Sequence, residues 1–355
     1  MSAKRIIISR RDKQPAATLL RKMTVSPIDI RENEIFERSP ELLSALLKDH
    51  TLSTEDRQVN VFWATNNYAD LGAGYQYADQ ITIEAITGKN GDVIKPRAAK
   101  SREKQQQRIR EMAEVFTPSW ICNKQNNLVD NSWFDRDNVF NTEIDNPDKS
   151  HSWIPAEGKI IFPKGKTWWD YVQENRLEIT CGEAPYLVSR YDTVTGEPIP
   201  LERRIGLLDR KLRIVGENTE TSGEWLKAAQ AAYMSIYGYE WQGDNLVLAR
   251  EALLYTFIDY YKAKFGKEPQ LKSLQYIAEI VSWNIWQMDG LKCVVPNSCQ
   301  TIHQTVQNLF ESNDTIQECE GCRKDNIHKH NGVYCKIKDW KENEVLTFVS
   351  LIKKK

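Results

Sequence analysis

Strand-like segments alternate with long helical patterns in the second half of the chain, and this alternation constrains the fold more than any other feature. A short strand is predicted at Leu177–Thr180, and two helical patterns follow between 201 and 234. A strand at 235–241 leads into the helical run "LVLAREALLYTFIDYYKAKF", and a helix near 270–281 leads into "SWNIWQMD". Strands that alternate with helices favour a parallel sheet with helices on its faces, so we expect an α/β fold.

The composition narrows the class of protein without identifying it. The 355 residues carry 48 Lys and Arg against 49 Asp and Glu. This balance excludes a globally basic, histone-like protein, and the ordinary apolar content excludes a wholly disordered one. The length allows two or three compact domains. We expect a cytoplasmic protein, because no apolar run has the length of a bilayer span or of a signal peptide's apolar region.

Carboxylates and a glycine turn lie at the ends of the three predicted strands. Glu178 lies in the first strand just before the Cys181-Gly182 turn, Glu240 ends the second strand and Asp289 ends the third. Ligands of α/β sheets bind beyond the carboxyl ends of the strands, where a carboxylate can accept hydrogen bonds from a ribose diol. The pattern therefore indicates a nucleoside site, although acidic residues after strands are also ordinary turn formers.

A basic segment precedes this region. Seven basic residues stand against one acid, Glu103, between 95 and 110. One interpretation is a solvated helix face, and the other is contact with DNA phosphates. The candidate DNA-binding residues are Lys95, Arg97, Lys100, Arg102, Lys104, Arg108 and Arg110.

Cysteines crowd the last quarter of the chain. A Cys-x2-Cys pair is followed by a third cysteine with two histidines between, a spacing typical of structural zinc sites. The predicted ligands come from Cys319, Cys322, Cys335, His328 and His330, with Cys293 and Cys299 as alternatives. Such a site would stabilise a segment that lacks a core of its own. The alternative is a set of reduced thiols in a polar loop.

Four ordered segments between 113 and 291 resemble one family. "EVFTPSWICNK", "LEITCGEAPYL", "YGYEWQGDNLVLAR" and "NIWQMDGL" are similar to successive motifs of gamma-class adenine-N6 DNA methyltransferases, the group that contains the modification subunits of restriction systems. The resemblance implies an α/β fold that is the N-terminal half of a Rossmann-like methyltransferase sheet. It also implies S-adenosylmethionine as cofactor and DNA as partner.

The resemblance also assigns roles to individual residues. Phe116, Thr117 and Pro118 would form a lid on the methionine end of the cofactor, and the loop containing Thr180, Cys181, Gly182 and Tyr186 would wrap that end. Glu178 would lie near the cofactor's amino group, Glu240 would hold the ribose hydroxyls, and Asp289 would bond the adenine amino group.

The cofactor loop departs from the family pattern. Ile179 replaces the usual proline, and Ala184, followed by Pro185, replaces the second glycine. Alanine disfavours a positive φ and proline stiffens a turn, so weaker cofactor binding is expected. The long interval between Glu178 and Glu240 indicates an insertion near 191–222.

The family's catalytic tetrapeptide, Asn/Asp/Ser-Pro-Pro-Tyr/Phe, does not occur in the sequence. We therefore expect no DNA methylation by this chain alone. A sheet that lacks the family's fourth strand would leave the edge of its first strand open, which favours a second polypeptide or self-association. Three interpretations remain: an incomplete methyltransferase subunit, a non-catalytic DNA- or cofactor-binding module, and an inactive truncated product. The predicted regions are an accessory region (1–94), a cofactor-binding half-domain (95–291) and a Cys/His-rich segment (292–355).

Overall fold

The computed structural model describes residues 32–307 and 312–353, with residues 302–316 as backbone only. The first 31 residues of the predicted accessory region lie outside the described residues. Within the described part the chain is mixed α/β, with eleven α-helices and four small sheets. The helices are α1 (Glu32–Arg38), α2 (Pro40–Leu47), α3 (Ile83–Ile86), α4 (Arg102–Met112), α5 (Ser119–Phe134), α6 (Trp168–Gln173), α7 (Leu207–Asn218), α8 (Ser222–Met234), α9 (Gly243–Phe265), α10 (Leu271–Asn284) and α11 (Glu320–Lys324). The strands are β1 (Asn141–Asp145), β2 (His151–Pro155), β3 (Arg176–Glu178), β4 (Ile236–Glu240), β5 (Ile285–Gln287), β6 (Ile302–Gln307), β7 (Ser312–Gln317), β8 (Lys336–Asp339) and β9 (Glu344–Thr347).

The central sheet contains β3, β4 and β5 in that order, and both pairs are parallel. Helices α7 and α8 connect β3 to β4, and α9 and α10 connect β4 to β5. The predicted alternation of strands and helices is therefore confirmed, and the carboxyl ends of all three strands meet at one edge. Glu178 lies opposite Gly238, and Glu240 lies opposite Gln287.

Helix α9 is the buried centre of the fold. Its Arg250 is 1% exposed and donates hydrogen bonds to the carbonyl oxygens of Leu46, Lys48, Ser282 and Ile285. One guanidinium thus connects α9 to the end of α2, to α10 and to β5. Buried charge is stable here because fixed carbonyl dipoles surround it.

The N-terminal region packs on this same centre. Helix α2 begins with Pro40 in its first turn, as predicted, and Ser39 adopts the extended backbone of an N-cap. The Ser39 hydroxyl donates to Glu41 instead of accepting from the helix backbone. One continuous hydrophobic core extends from Ile35 to Ile285, so residues 32–94 do not form a core of their own.

Two connections differ from the sequence expectations. The segment 140–170, expected to be a loop, contains the antiparallel hairpin β1–β2. Its strands are polar and largely exposed, so no apolar alternation indicates them. The expected insertion near 191–222 includes α7, whose Leu208 and Leu212 are fully buried in the main core. That helix is therefore a core element of the described fold.

Candidate cofactor and metal sites

The three strand ends form one hydrogen-bonded cluster. The Gly182 N–H donates to Glu240 Oε2 at 2.8 Å, so the loop after β3 is tied to the end of β4. The Met288 N–H donates to the carbonyl oxygen of Glu240 at 2.9 Å, which places Asp289 beside the same strand end. Parallel pairing therefore brings together Gly182, Glu240 and Asp289, the first and last of which are more than a hundred positions apart in the sequence.

Glu178 stabilises the loop after β3 by accepting hydrogen bonds from its backbone. Its carboxylate accepts hydrogen bonds from the Tyr186 N–H at 3.4 Å and the Leu187 N–H at 3.2 Å. Burial raises the pKa of Glu178 well above its usual value, although these N–H groups act in the opposite direction. In this arrangement the side chain holds the loop after β3 in place.

The loop has a strained backbone. Thr180 has φ 46° and Ala184 has φ 60°, and Gly182 between them has φ 54°. Left-handed conformations cost non-glycine residues free energy and persist only where surrounding contacts fix them. Such residues concentrate at functional sites. Ala184 adopts the positive φ that the sequence analysis expected alanine to disfavour, and its methyl group is fully buried.

The Phe-Thr-Pro segment packs on this loop. The Phe116 Cε1 atom lies 3.4 Å from the position that a Cβ atom on Gly182 would occupy, so the ring packs directly on the glycine. Pro118 is the N-cap of α5, and the Thr117 carbonyl oxygen accepts from the Thr193 hydroxyl at 3.3 Å. Phe-Thr-Pro is therefore an ordered strap between α4 and α5.

Asp289 stabilises its own turn. Its Oδ1 accepts from the N–H groups of Leu291 and Lys292 at 3.0 and 3.2 Å, and its Oδ2 lies 3.5 Å from Lys292 Nζ. This geometry stabilises the turn and is also compatible with ligand binding, because a carboxylate can accept more hydrogen bonds than the two that Leu291 and Lys292 donate.

The basic segment divides into internal and exposed residues. Arg108, expected to contact DNA, is buried and bonded to Glu114 at 2.6 Å and to Asp244 at 2.9 Å. The Lys100 side chain is 6% exposed and lies 3.4 Å from Asp244. These two predictions are corrected, because the ion pairs hold both cations inside the fold. Lys95 is partly exposed near Asp92, and the remaining exposed cations on α4 are Arg102, Lys104 and Arg110.

Arg97 is partly exposed, and its side chain faces Phe116 beside the loop after β3. Its guanidinium carbon lies 5.4 Å from the centre of the Phe116 ring. Its backbone N–H donates to the buried Glu183 carboxylate at 2.6 Å. Arg97 Nε is buried and has no hydrogen-bond partner among the described residues.

Three cysteines and a histidine form a compact group in the C-terminal segment. His330 Nδ1 lies 3.5 Å from Cys299 Sγ, 3.5 Å from Cys319 Sγ and 3.6 Å from Cys322 Sγ. All four ligand atoms lie within 4.8 Å of one another. Tetrahedral coordination with Zn–S near 2.3 Å and Zn–N near 2.1 Å separates sulfur from nitrogen by about 3.6 Å. This Cys3His group can therefore bind a metal ion.

The environment favours at least one thiolate. Burial raises the pKa of Cys319, but the Asn331 N–H and the neighbouring Cys322 and His330 groups lower it to about 6. Burial and the adjacent Cys319 and Cys322 raise the pKa of Cys299 to about 12. One low and one high thiol pKa are what a shared negative charge produces, and a cation would stabilise it.

Two predicted ligands are not part of the group. Cys335 is buried against the end of the central sheet, and its thiol donates to the Gln287 carbonyl oxygen at 3.3 Å. His328 lies outside the four-residue group. Cys299, considered only as an alternative in the sequence analysis, occupies the third cysteine position.

The backbone explains this exchange of ligands. Segment 293–295 pairs with 333–335, through the Val295 N–H to Val333 and the Cys335 N–H to Cys293. This pairing directs Cys335 inward and leaves the metal group beyond the other end of the ladder. There Asn331 exchanges hydrogen bonds with the backbone of Gln300, which places Cys299 beside His330.

Two cavities lie away from both sites. One, of about 400 Å³, lies between β2, α7 and α9 and is lined by Trp153, Arg204, Arg210 and Tyr260 among others. A second, of about 280 Å³, is lined in part by Lys95, Lys100, Lys104 and Arg108. Neither includes Phe116, Gly182, Glu240 or Asp289.

Comparison with known proteins identifies no similar protein. No protein family, curated protein or solved structure matches the chain. No helix within 32–307 and 312–353 combines the length and apolar character that a membrane span requires.

Proposed function

We propose that this chain is the S-adenosylmethionine-binding part of an adenine-specific DNA methyltransferase of a restriction-modification system. The observation that carries the proposal is the hydrogen bond from Gly182 to Glu240, with Phe116 packed on the same glycine. It joins three of the four family-like segments at one strand edge, and the fourth, with Asp289, is adjacent. The parallel order β3-β4-β5 is also what half of a Rossmann-like methyltransferase sheet requires.

Each group has a role in the proposed cofactor site. The Glu240 carboxylate would hold the ribose hydroxyls, and Asp289 would accept from the adenine amino group. The strained 180–184 backbone would wrap the methionine end beneath the Phe116 lid. Glu178 would fix that loop from its buried side and lie near the cofactor's amino group.

Calorimetric titration with S-adenosylmethionine tests the proposal. We expect one site per chain, competition by S-adenosylhomocysteine, and affinity reduced roughly 10-fold or more by Glu240→Gln, which loses the carboxylate charge but keeps an acceptor. Glu220→Gln, an exposed position on the α7–α8 connection, is the matched control. Absence of saturable binding by the unaltered chain would refute the proposal.

The catalytic step requires residues outside this sequence. In the resemblance, the polar side chain of Asn-Pro-Pro-Tyr binds the adenine amine and its aromatic ring stacks on the flipped base. We propose that a segment with this motif joins the chain at the free edge of β3. The outer-edge residues Leu177 and Ile179 are 46% and 64% exposed, and no strand pairs with that edge among the described residues. If the segment binds at this edge, Leu177→Lys should abolish its co-purification with the chain.

DNA contact is assigned to the exposed face of α4. Arg102, Lys104 and Arg110 are exposed and have no salt bridge among the described residues. Loss of one phosphate contact should weaken binding to all DNA sequences by a similar factor. It should also reduce the slope of the logarithm of the binding constant against the logarithm of the salt concentration by about one.

A non-catalytic module is the second candidate function. The metal group is compatible with it, because a structural zinc site suits a binding domain as well as an enzyme. We propose that Zn²⁺ is the ion held by Cys299, Cys319, Cys322 and His330, since three thiolates and an imidazole at tetrahedral separation select zinc over hard cations. Cofactor binding without methylation of DNA, even with an Asn-Pro-Pro-Tyr segment supplied, would favour the module.

A further inference from the structure

The cations near the cofactor loop are not equivalent. Lys100 and Arg108 are held by Asp244, and Arg108 also by Glu114. Arg97 has no salt bridge within the described part of the chain, and its buried Nε has no hydrogen-bond partner. An arginine nitrogen that is removed from water without an acceptor is costly, so an anionic or carbonyl group beside Arg97 would be stabilised.

Arg97 is also fixed in position. Its N–H is bonded to Glu183, whose Oε2 accepts from the Tyr191 hydroxyl at 2.5 Å. Gln105 Nε2 donates to the Arg97 carbonyl oxygen at 3.0 Å. The guanidinium lies over the Phe116 ring, and that ring packs on Gly182. The side chain therefore belongs to the lid and loop and not to the exposed face of α4.

The neighbouring acidic residues offer no cation. Glu178, Glu183 and Glu240 are all buried around the loop. Their carboxyl oxygens can accept hydrogen bonds from the ammonium group of S-adenosylmethionine, but they provide no positive charge for its carboxylate. The carboxylate therefore needs a cation, and a partly buried guanidinium with donors to spare suits it because two N–H groups can bind both oxygens.

We propose that Arg97 binds the α-carboxylate of S-adenosylmethionine, and that it is a cofactor residue and not a DNA contact. The inference rests on the proposed function. It adds a specificity element to that site, namely selection for a cofactor that carries an intact amino-acid carboxylate.

Decarboxylated S-adenosylmethionine separates this role from a structural one. We expect the unaltered chain to bind S-adenosylmethionine more tightly than the decarboxylated analogue. Arg97→Gln should weaken S-adenosylmethionine binding roughly 10- to 100-fold and leave binding of the analogue unchanged, because only the former loses a charge-assisted pair. Arg97→Lys should have an intermediate effect, and Arg57→Gln, at an exposed arginine to which no binding role is assigned, should have none.

The outcomes distinguish the two proposals. If the unaltered chain binds neither compound, the proposed function fails and this inference fails with it. If it binds both equally, or if Arg97→Gln weakens both equally, the cofactor site stands and the role of Arg97 is refuted. The comparison in the unaltered chain decides the matter even if Arg97→Gln does not fold.

Discussion

Removal of Cys299 should abolish zinc binding, whereas removal of Cys335 should not. Cys299 Sγ is 3.5 Å from His330 Nδ1, and Cys335 Sγ is bonded to the Gln287 carbonyl instead. Both cysteines are within the same small region, so Cys335→Ala is a matched control for Cys299→Ala. We expect one zinc ion per chain in the unaltered protein and in Cys335→Ala, and none bound stoichiometrically in Cys299→Ala.

The size of the effect follows from the loop that the metal closes. A cross-link between Cys299 and Cys319 closes a loop of about 20 residues, which corresponds to about 3 kcal/mol of conformational entropy at 25 °C in the chain-entropy treatment. Zinc that is present at about a thousand times its dissociation constant would give a similar figure, about 4 kcal/mol. Local opening of the 319–331 segment should therefore become about 100-fold more frequent without the metal.

Hydrogen exchange followed by mass spectrometry measures how often the 319–331 segment opens, and zinc analysis of the same samples gives the metal content. Amides in 319–331 should exchange faster in Cys299→Ala, and amides of the buried α9 should not change. Stoichiometric zinc in Cys299→Ala, or its loss from a folded Cys335→Ala, would show that the assigned ligand set is incorrect.

Three further predictions concern stability and DNA. Burial lowers the pKa of His50 from 6.5 to about 2, so as the pH falls the unfolded chain is protonated before the folded chain. The free energy of unfolding should therefore decrease below about pH 6.5, by about 2 kcal/mol between pH 7 and pH 5. Chemical denaturation measures this decrease, and the contribution of His50 should be absent in His50→Gln. Gly216→Ala, with open space around it in α7, should stabilise by about 0.5–1 kcal/mol in the same assay, while Gly243→Ala should destabilise because its methyl group would overlap the Phe62 carbonyl oxygen. Arg102→Gln should weaken DNA binding in a salt titration without lowering the melting temperature, and Arg108→Gln should lower the melting temperature because it leaves buried carboxylates unpaired; equal DNA affinities for Arg102→Gln and the unaltered chain would contradict the assignment.

The sequence predicted the central elements because their signals are local. The helical run after Glu240 and the αL glycine at its end, Gly266, define α9 within a few residues. Two helical crossovers, from β3 to β4 and from β4 to β5, then leave few ways to pair the strands, because such connections join parallel strands. The polar hairpin β1–β2 carries no such signal, since its strands show no buried face.

The errors on Arg108 and Cys335 share a physical origin, namely partners that are distant in the sequence. Arg108 looked like a DNA contact because its acceptor Asp244 is 136 positions away. Cys335 looked like a ligand because it follows Cys322 closely, whereas Cys299 precedes the Cys-x2-Cys pair by about 20 residues. Spacing measures proximity along the chain, and side-chain burial is decided by pairings that close long loops.

The Cys3His group and the proposed cofactor edge lie at opposite ends of one short ladder. The Asp289 N–H donates to the Val294 carbonyl oxygen at 2.8 Å, and Val294 also pairs with Tyr334, four residues from His330. The Tyr334 hydroxyl in turn accepts from the His330 N–H at 2.9 Å. An ion at the Cys3His group would therefore fix both strands of the ladder beyond their last backbone pair and limit the freedom of the Asp289 turn. In the proposed cofactor site Asp289 must be held in place to select the adenine amino group, so we predict that metal binding changes cofactor affinity although the metal does not touch the cofactor.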